Sequence, residues 1–252
     1  MRKFTKIALT TALALGLAAA THAQVSYTGG TYNQDFDTLV NTGTSSTAPL
    51  GWAFAEGGSG ANTIYTASTG SLTTGDTYSF GATLAADRAF GGLQSGTVIP
   101  TIGGSFTNNT GTTITDLAIA YFGEQWRLGT SGRADQLDFQ FSTNATSLTT
   151  GTWIDLNALD FVAPISVGTV GALDGNLSAN RVSVSSTISG LSLADGSTIW
   201  IRWNSFDASG ADDGLGIDGF SLAAVPEPSV YMLLGVGILL CGQRFMRRGK
   251  SA

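Results

Sequence analysis

Between residues 24 and 225 apolar side chains recur at every second position, and no stretch repeats them at the three- and four-residue spacing of an amphipathic helix. Leu137, Phe139 and Phe141 alternate with Asp138 and Gln140, and Ile199, Ile201 and Trp203 alternate with Trp200 and Arg202. Leu117, Ile119 and Tyr121 share one face of their segment, with Ala118, Ala120 and Phe122 on the other, and Val182 and Val184 alternate with Ser183 and Ser185. Turn-forming Gly, Thr, Ser and Asn punctuate these runs at intervals of about 8 to 12 residues, the pattern of a β-sandwich. The expected fold is therefore all-β, with one sandwich domain over residues 24–224. That span is long enough for a single sizeable core. Asn108-Asn109-Thr110-Gly111, between a strand ending near Phe106 and one starting near Ile114, predicts a hairpin turn.

The two ends are of a different kind. Arg2, Lys3 and Lys6 precede an uncharged, Ala- and Leu-rich run from Ile7 to Ala20, followed by Thr21-His22-Ala23. A basic start, a short apolar run and a small-x-small site make a secretory signal peptide over residues 1–23. Cleavage between Ala23 and Gln24 is expected, by signal peptidase. At the other end Val225-Pro226-Glu227-Pro228 leads into an apolar run from Ser229 to Gly242 and then Arg244, Arg247, Arg248 and Lys250. Counted from Val225 to Met246, the segment reaches the roughly 17–25 residues of a spanning helix. The closing basic cluster marks its cytoplasmic side. Both basic ends then stay inside while the acidic middle is outside. The two prolines fix φ and push their preceding residues toward extended geometry, so the tetrapeptide is held open for recognition.

Pro226-Glu227-Pro228, an apolar helix and an Arg-rich end, over residues 225–250, resemble the PEP-CTERM sorting signal. The resemblance implies an exosortase-type processing enzyme in the inner membrane as partner, and export in a Gram-negative bacterium making exopolysaccharide. It also implies transient anchoring through the C-terminal helix, followed by residence at the cell surface or outside the cell. It is silent about the domain in front.

Composition limits what that domain can do. Residues 24–225 hold seventeen carboxylates against five arginines (Arg88, Arg127, Arg133, Arg181 and Arg202), a net charge of −12, and no lysine. Such a domain repels nucleic acid and anionic lipid. The one His (His22) and the one Cys (Cys241) lie in the two ends. The middle therefore has no disulfide, no Ser-His-Asp or Cys-His catalysis, no Schiff-base lysine and no usual zinc site.

Asn33-Gln34-Asp35-Phe36-Asp37-Thr38-Leu39 near the start and Asp212-Asp213-Gly214-Leu215-Gly216-Ile217-Asp218-Gly219-Phe220 near the end are similar to the terminal strands of secreted jelly-roll modules of the lectin and carbohydrate-binding kind. In those modules first and last strands lie together and a structural calcium often bridges them. Calcium wants six to eight oxygens, which Gly-rich acidic loops can supply. Asp212, Asp213 and Asp218, with Asp35, are the candidate calcium ligands, a solvated acidic turn being the alternative. Glu124, Trp126 and Arg127 form a candidate glycan site, a Trp to stack on a sugar ring flanked by groups for its hydroxyls. The alternative is rim packing, with Arg127 pairing Glu124 or Asp138. Trp52, Trp153, Trp200 and Trp203 read as packing residues. Carboxylate pairs such as Asp155 and Asp160 leave a glycan hydrolase or lyase open. The expected function is a non-catalytic surface or matrix protein associated with exopolysaccharide, the alternatives being that carboxylate enzyme or a self-assembling matrix protein.

Overall fold

The computed structural model describes residues 23–226. The signal peptide up to His22, and the tail from Glu227 with its predicted helix, lie outside the described residues. Among the described residues, no helix is long and apolar enough to cross a membrane. The chain forms β1 Val25–Tyr27, β2 Thr31–Gln34, β3 Thr44–Ser45, β4 Trp52–Gly57, β5 Tyr65–Ser68, β6 Asp76–Phe80, β7 Ala89–Leu93 and β8 Ile99–Asn108. It continues with β9 Leu117–Leu128, β10 Gln136–Ser142, β11 Ile154–Asp155, β12 Phe161–Val162, β13 Gly171–Ala172, β14 Arg181–Ile188, β15 Thr198–Ser205 and β16 Gly214–Ala224. A single 3-10 turn, Asn157–Leu159, is the one helical element described.

The strands make two sheets. The first runs β1-β8-β15-β10-β11, with β4 also on β8 and β12 on β10. The second runs β13-β9-β16-β7-β6-β5-β3, with β14 on β9 and β2 on β16. From β7 to β10, and again from β14 to β16, successive strands change sheet, so most neighbours in a sheet are distant in sequence. The expected all-β sandwich is what forms. The opening and closing segments do meet: Gln34 lies opposite Phe220 and Tyr32 opposite Leu222.

The period-2 pattern explains the core. Ile199, Ile201 and Trp203 of β15 face inward from the first sheet, and Leu117, Ile119 and Tyr121 of β9 face inward from the second; all are buried. Trp203 lies 5.1 Å from Phe139 and 5.2 Å from Tyr121 between ring centroids, and 6.1 Å from Trp52 in a stacked arrangement. Offset and edge contacts of this kind add to the burial of apolar area. Val184 is buried but Val182 is exposed, because β14 is an edge strand paired only with β9.

One expectation is corrected. Asn108-Asn109-Thr110-Gly111 is not a hairpin, since β8 belongs to the first sheet and β9 to the second. The residues do turn the chain: the Asn108 side-chain oxygen accepts from Thr110 N at 3.1 Å, and Gly111 sits at φ 77°. Yet buried Asn108 also donates to Leu193 O at 2.9 Å, which ties the turn to a distant loop. Local turn chemistry reverses the chain without choosing the strand it returns to.

Candidate functional site

The concave sites among the described residues include a groove and an end pocket. The groove, open and of about 1000 Å³, runs along edge strand β4. Its floor is β4 itself, where Trp52 turns into the core while Ala53 and Ala55 turn outward against the 145–153 loop. One wall is the 46–51 segment with Pro49 and Leu50; the other carries Asn62, Thr63 and Thr149. Small residues keep the floor low, and hydroxyl and amide groups ring it. Glu56 is the one charged residue lining the groove. Its carboxylate is already engaged: Oε1 accepts from Thr77 N at 2.7 Å and Oε2 from Asn62 N at 2.9 Å. The groove thus presents hydroxyls, an amide and apolar patches, with the Glu56 carboxylate hydrogen-bonded.

The second site, of about 600 Å³, lies at the end of the second sheet, between the turn after β7 and the 207–212 loop before β16. Leu93, Gly214 and Arg127 stand in one row across three strands and place Arg127 at its edge. Arg133 holds the loop. Its Nε donates to Ser209 O at 2.8 Å and an Nη2 hydrogen bonds to Ala211 O. The same guanidinium lies 3.2 Å from Asp135, 3.9 Å from Asp212 and 3.8 Å from Asp213. Burial, and then the neighbouring Asp135, push Asp212 up to about 6. Burial does the same to Asp213, also to about 6, although it accepts from Gly129 N and Gln125 Nε2, both at 2.7 Å.

The four candidate calcium ligands are not brought together. Asp212 and Asp213 converge with Asp135 on the Arg133 guanidinium. Asp218 stands farther along β16, where burial first, and then Asp87, Asp37 and Asp35, push it up to about 7. Asp35 is an exposed turn residue accepting from Asp37 N at 3.2 Å. Among the described residues no group of three or more His, Cys, Asp or Glu has the arrangement to hold a metal ion.

Burial takes up two of the candidate glycan trio, and Arg127 follows a bulge in β9. Trp126 is 2% exposed. It stacks on Phe80, 6.1 Å between centroids, and has Gly175 against its ring. A buried ring offers no face to a sugar. Its Nε1 donates to Glu124 Oε2 at 3.0 Å, while Glu124 Oε1 is buried without a hydrogen-bond partner. Burial, followed by the charge of Asp218, pushes Glu124 up to about 8. Glu124 lies opposite Gly216 and Asp218 opposite Phe122, so the two carboxylates are diagonal neighbours on the outer face roughly 7–8 Å apart at Cα. Glu124 is 1% exposed, which leaves a substrate no approach to it. Arg127 pairs with neither Glu124 nor Asp138; it donates to Gly70 O at 3.2 Å. Asp155 accepts from Gln140 at 2.6 Å and Asp160 from Phe139 N at 2.8 Å, two separate structural roles.

The structure therefore joins one residue from each candidate set, Arg127 and Asp212, at a single pocket. Gln94 and Arg133, which shape that pocket, and Asn62 and Thr63, which shape the groove, carry no sequence signal. Each is an ordinary loop or strand-end residue whose role depends on a partner many positions away.

Ala23 and Gln24 are exposed, and Pro226 is the last residue described; Glu227, Pro228, Arg244, Arg247 and Arg248 lie beyond it. No curated protein matches the chain. Among solved structures, the xylan-binding module CBM15 is 12% identical at a TM-score of 0.34, over 79% of this chain and 99% of that one. The K1 cleaved adhesin domain of Lys-gingipain from Porphyromonas gingivalis W83 is 10% identical at 0.32, over 79% and 100%. TmCBM61 in complex with β-1,4-galactotriose is 10% identical at 0.31, over 57% and 74%. Scores this low carry no inference about ligand or mechanism. The family model for the PEP-CTERM protein-sorting motif matches residues 224–250. That motif implies an exported protein whose tail is read by a processing enzyme.

Proposed function

We propose that this is an exported, non-catalytic protein of the cell surface or extracellular matrix, with a jelly-roll-like domain that binds a neutral glycan along β4. The carrying observation is the groove lining: hydroxyls of Thr63 and Thr149, the Asn62 amide and the apolar Ala53, Ala55 and Pro49, with its one carboxylate, Glu56, hydrogen-bonded. Pyranose rings offer hydroxyls on their edges and C–H patches on their faces, which suits such a lining. The net charge of −12 over residues 24–225 disfavours polyanions. The repeated change of sheet by successive strands supports the jelly-roll reading. Delivery follows from the tail, with signal peptidase acting at the other end.

Affinity electrophoresis of the purified mature protein through gels containing neutral and acidic polysaccharides tests this. The polysaccharide of the producing organism belongs in the panel. Retardation by a neutral polysaccharide, lost in Thr63→Trp and without release of reducing ends, is the expected result. Equal mobility in every gel would overturn the reading, and release of reducing ends would favour a carboxylate enzyme.

A further inference from the structure

Edge strand β14 pairs only with β9, and its other side is open. Gln125 N donates to Asn180 O, and Arg181 to Ile188 then lie opposite Glu124 to Leu117 in unbroken register. Bonded and non-bonded pairs alternate in an antiparallel ladder, so Val182, Val184, Ser186 and Ile188 bond to β9. The far side of β9 keeps the same alternation, since Val225 N donates to Asp116 O. Arg181, Ser183, Ser185 and Thr187 therefore turn their backbone N–H and C=O groups off the sheet. No backbone group among the described residues bonds to these. The 3-10 turn Asn157–Leu159 packs beside β14 without a backbone hydrogen bond to it.

An exposed edge of this kind is a template for another strand, and folded proteins blunt it with Lys, Pro, bulges or brevity. β14 has none of these. It is eight residues long, without a register shift, and uncharged from Val182 to Ile188. The other edge segments are short, with two residues in each of β3, β11, β12 and β13, three in β1 and four in β2. Only β4 is longer, and the walls of the groove flank it.

The charges select a second copy as the occupant. A net charge of −12 sets two copies to repel, and an uncharged strand is where they approach at least cost. Arg181 opens β14, lies 4.8 Å from the Phe122 ring centroid, and forms no ion pair among the described residues. Asp116 lies against Ser189 and Gly190, just past the other end of β14. Two β14 strands meeting antiparallel about a twofold axis make every contact twice. Arg181 of each copy then arrives at the Asp116 end of the other.

We propose that β14 is the seam of a homodimer, in which two copies pair edge to edge and their second sheets run on as one. The contact is one strand wide, smaller than a permanent interface, so the dimer is weak and reversible. It does not depend on what the β4 groove binds, and it leaves that groove, on the other sheet, free.

Sedimentation velocity of the mature protein over a concentration series tests this, with the melting temperature of each variant alongside. A reversible monomer–dimer equilibrium without larger species is expected. Ser185→Pro removes an outward N–H and leaves the β9 ladder intact, so it should give only monomer at a near-parental melting temperature. Asp116→Arg and Arg181→Glu should each weaken dimerisation about tenfold through two symmetric exposed ion pairs. Combined, they should restore it, a readout that stands even where the proline variant does not fold. A monomer at every concentration overturns the seam, as does a dimer indifferent to Ser185→Pro and to both charge reversals. Open-ended polymers overturn it too, because a twofold seam closes on itself.

Discussion

Trp126 and Phe80 stack on the outer side of the second sheet with 6.1 Å between ring centroids and 4° between planes. They form a small second core with Tyr78, Ala89 and Leu93, separate from the main one between the sheets. A tryptophan flanked by Glu, Gln and Arg is thus a packing residue. Trp126→Ala should destabilise the domain by ~3–5 kcal/mol, the usual cost of truncating a buried aromatic. Urea unfolding measures this, and glycan affinity of the folded fraction should be unchanged. A variant of parental stability that no longer binds would return Trp126 to the binding site.

Stability should rise on mild acidification. Glu124 at about 8, Asp218 at about 7, and Asp212 and Asp213 at about 6 all exceed the ordinary carboxylate range, chiefly through burial. The native state therefore holds protons that the unfolded chain has already released. That stabilisation is complete below the unfolded values near 4 and is lost as pH rises through about 6 to 8. Thermal melting should give a midpoint higher at pH 5 than at pH 8 by about 4 °C or more. Glu124→Gln should flatten the upper part of the profile. A midpoint that falls between pH 8 and pH 5 contradicts this account.

Arg133 is the counter-charge for three carboxylates, Asp135, Asp212 and Asp213. Arg133→Ala leaves them facing one another at low exposure and should cost ~3 kcal/mol. Arg133→Lys should recover only part of this, because one ammonium cannot replace a planar fork gripping Ser209 O and Ala211 O. Chemical denaturation of the two variants decides it; a Lys variant as stable as the parent would show that the hydrogen-bonding fork is irrelevant.

The tail makes a separate prediction. Replacing Pro226, Glu227 and Pro228 by alanine should leave the unprocessed chain in the inner-membrane fraction of a host with the processing enzyme. Removing residues 224–250 should release the domain from the membrane. Fractionation and intact mass read both outcomes, and a mature N-terminus at Gln24 is expected. Normal processing of the triple-alanine variant would show that recognition lies elsewhere in the matched segment.

Much of the fold could be read from the chain because strand alternation is a local property. Leu117, Ile119 and Tyr121 face the core wherever β9 sits, since successive side chains in a strand point to opposite faces. Partner choice is not local. Asn108 and Gly111 turn the chain in the manner expected of them, yet β9 crosses to the other sheet, and the arch is tied to Leu193. The candidate site residues are parted for the same reason. Asp212 and Asp218 are close in sequence, but Asp212 is taken by Arg133 while Asp218 stands beside Glu124.

The sequence by itself determined the class of the domain, its acidity, the absence of His, Cys and Lys from residues 24–225, and the sorting tail, because composition and period need no partners. Only the tertiary structure decided which aromatic rings are buried, which carboxylates share an arginine, and where open space remains. Those depend on side chains brought together from distant strands, as Gln94, Arg127 and Asp212 are at one pocket.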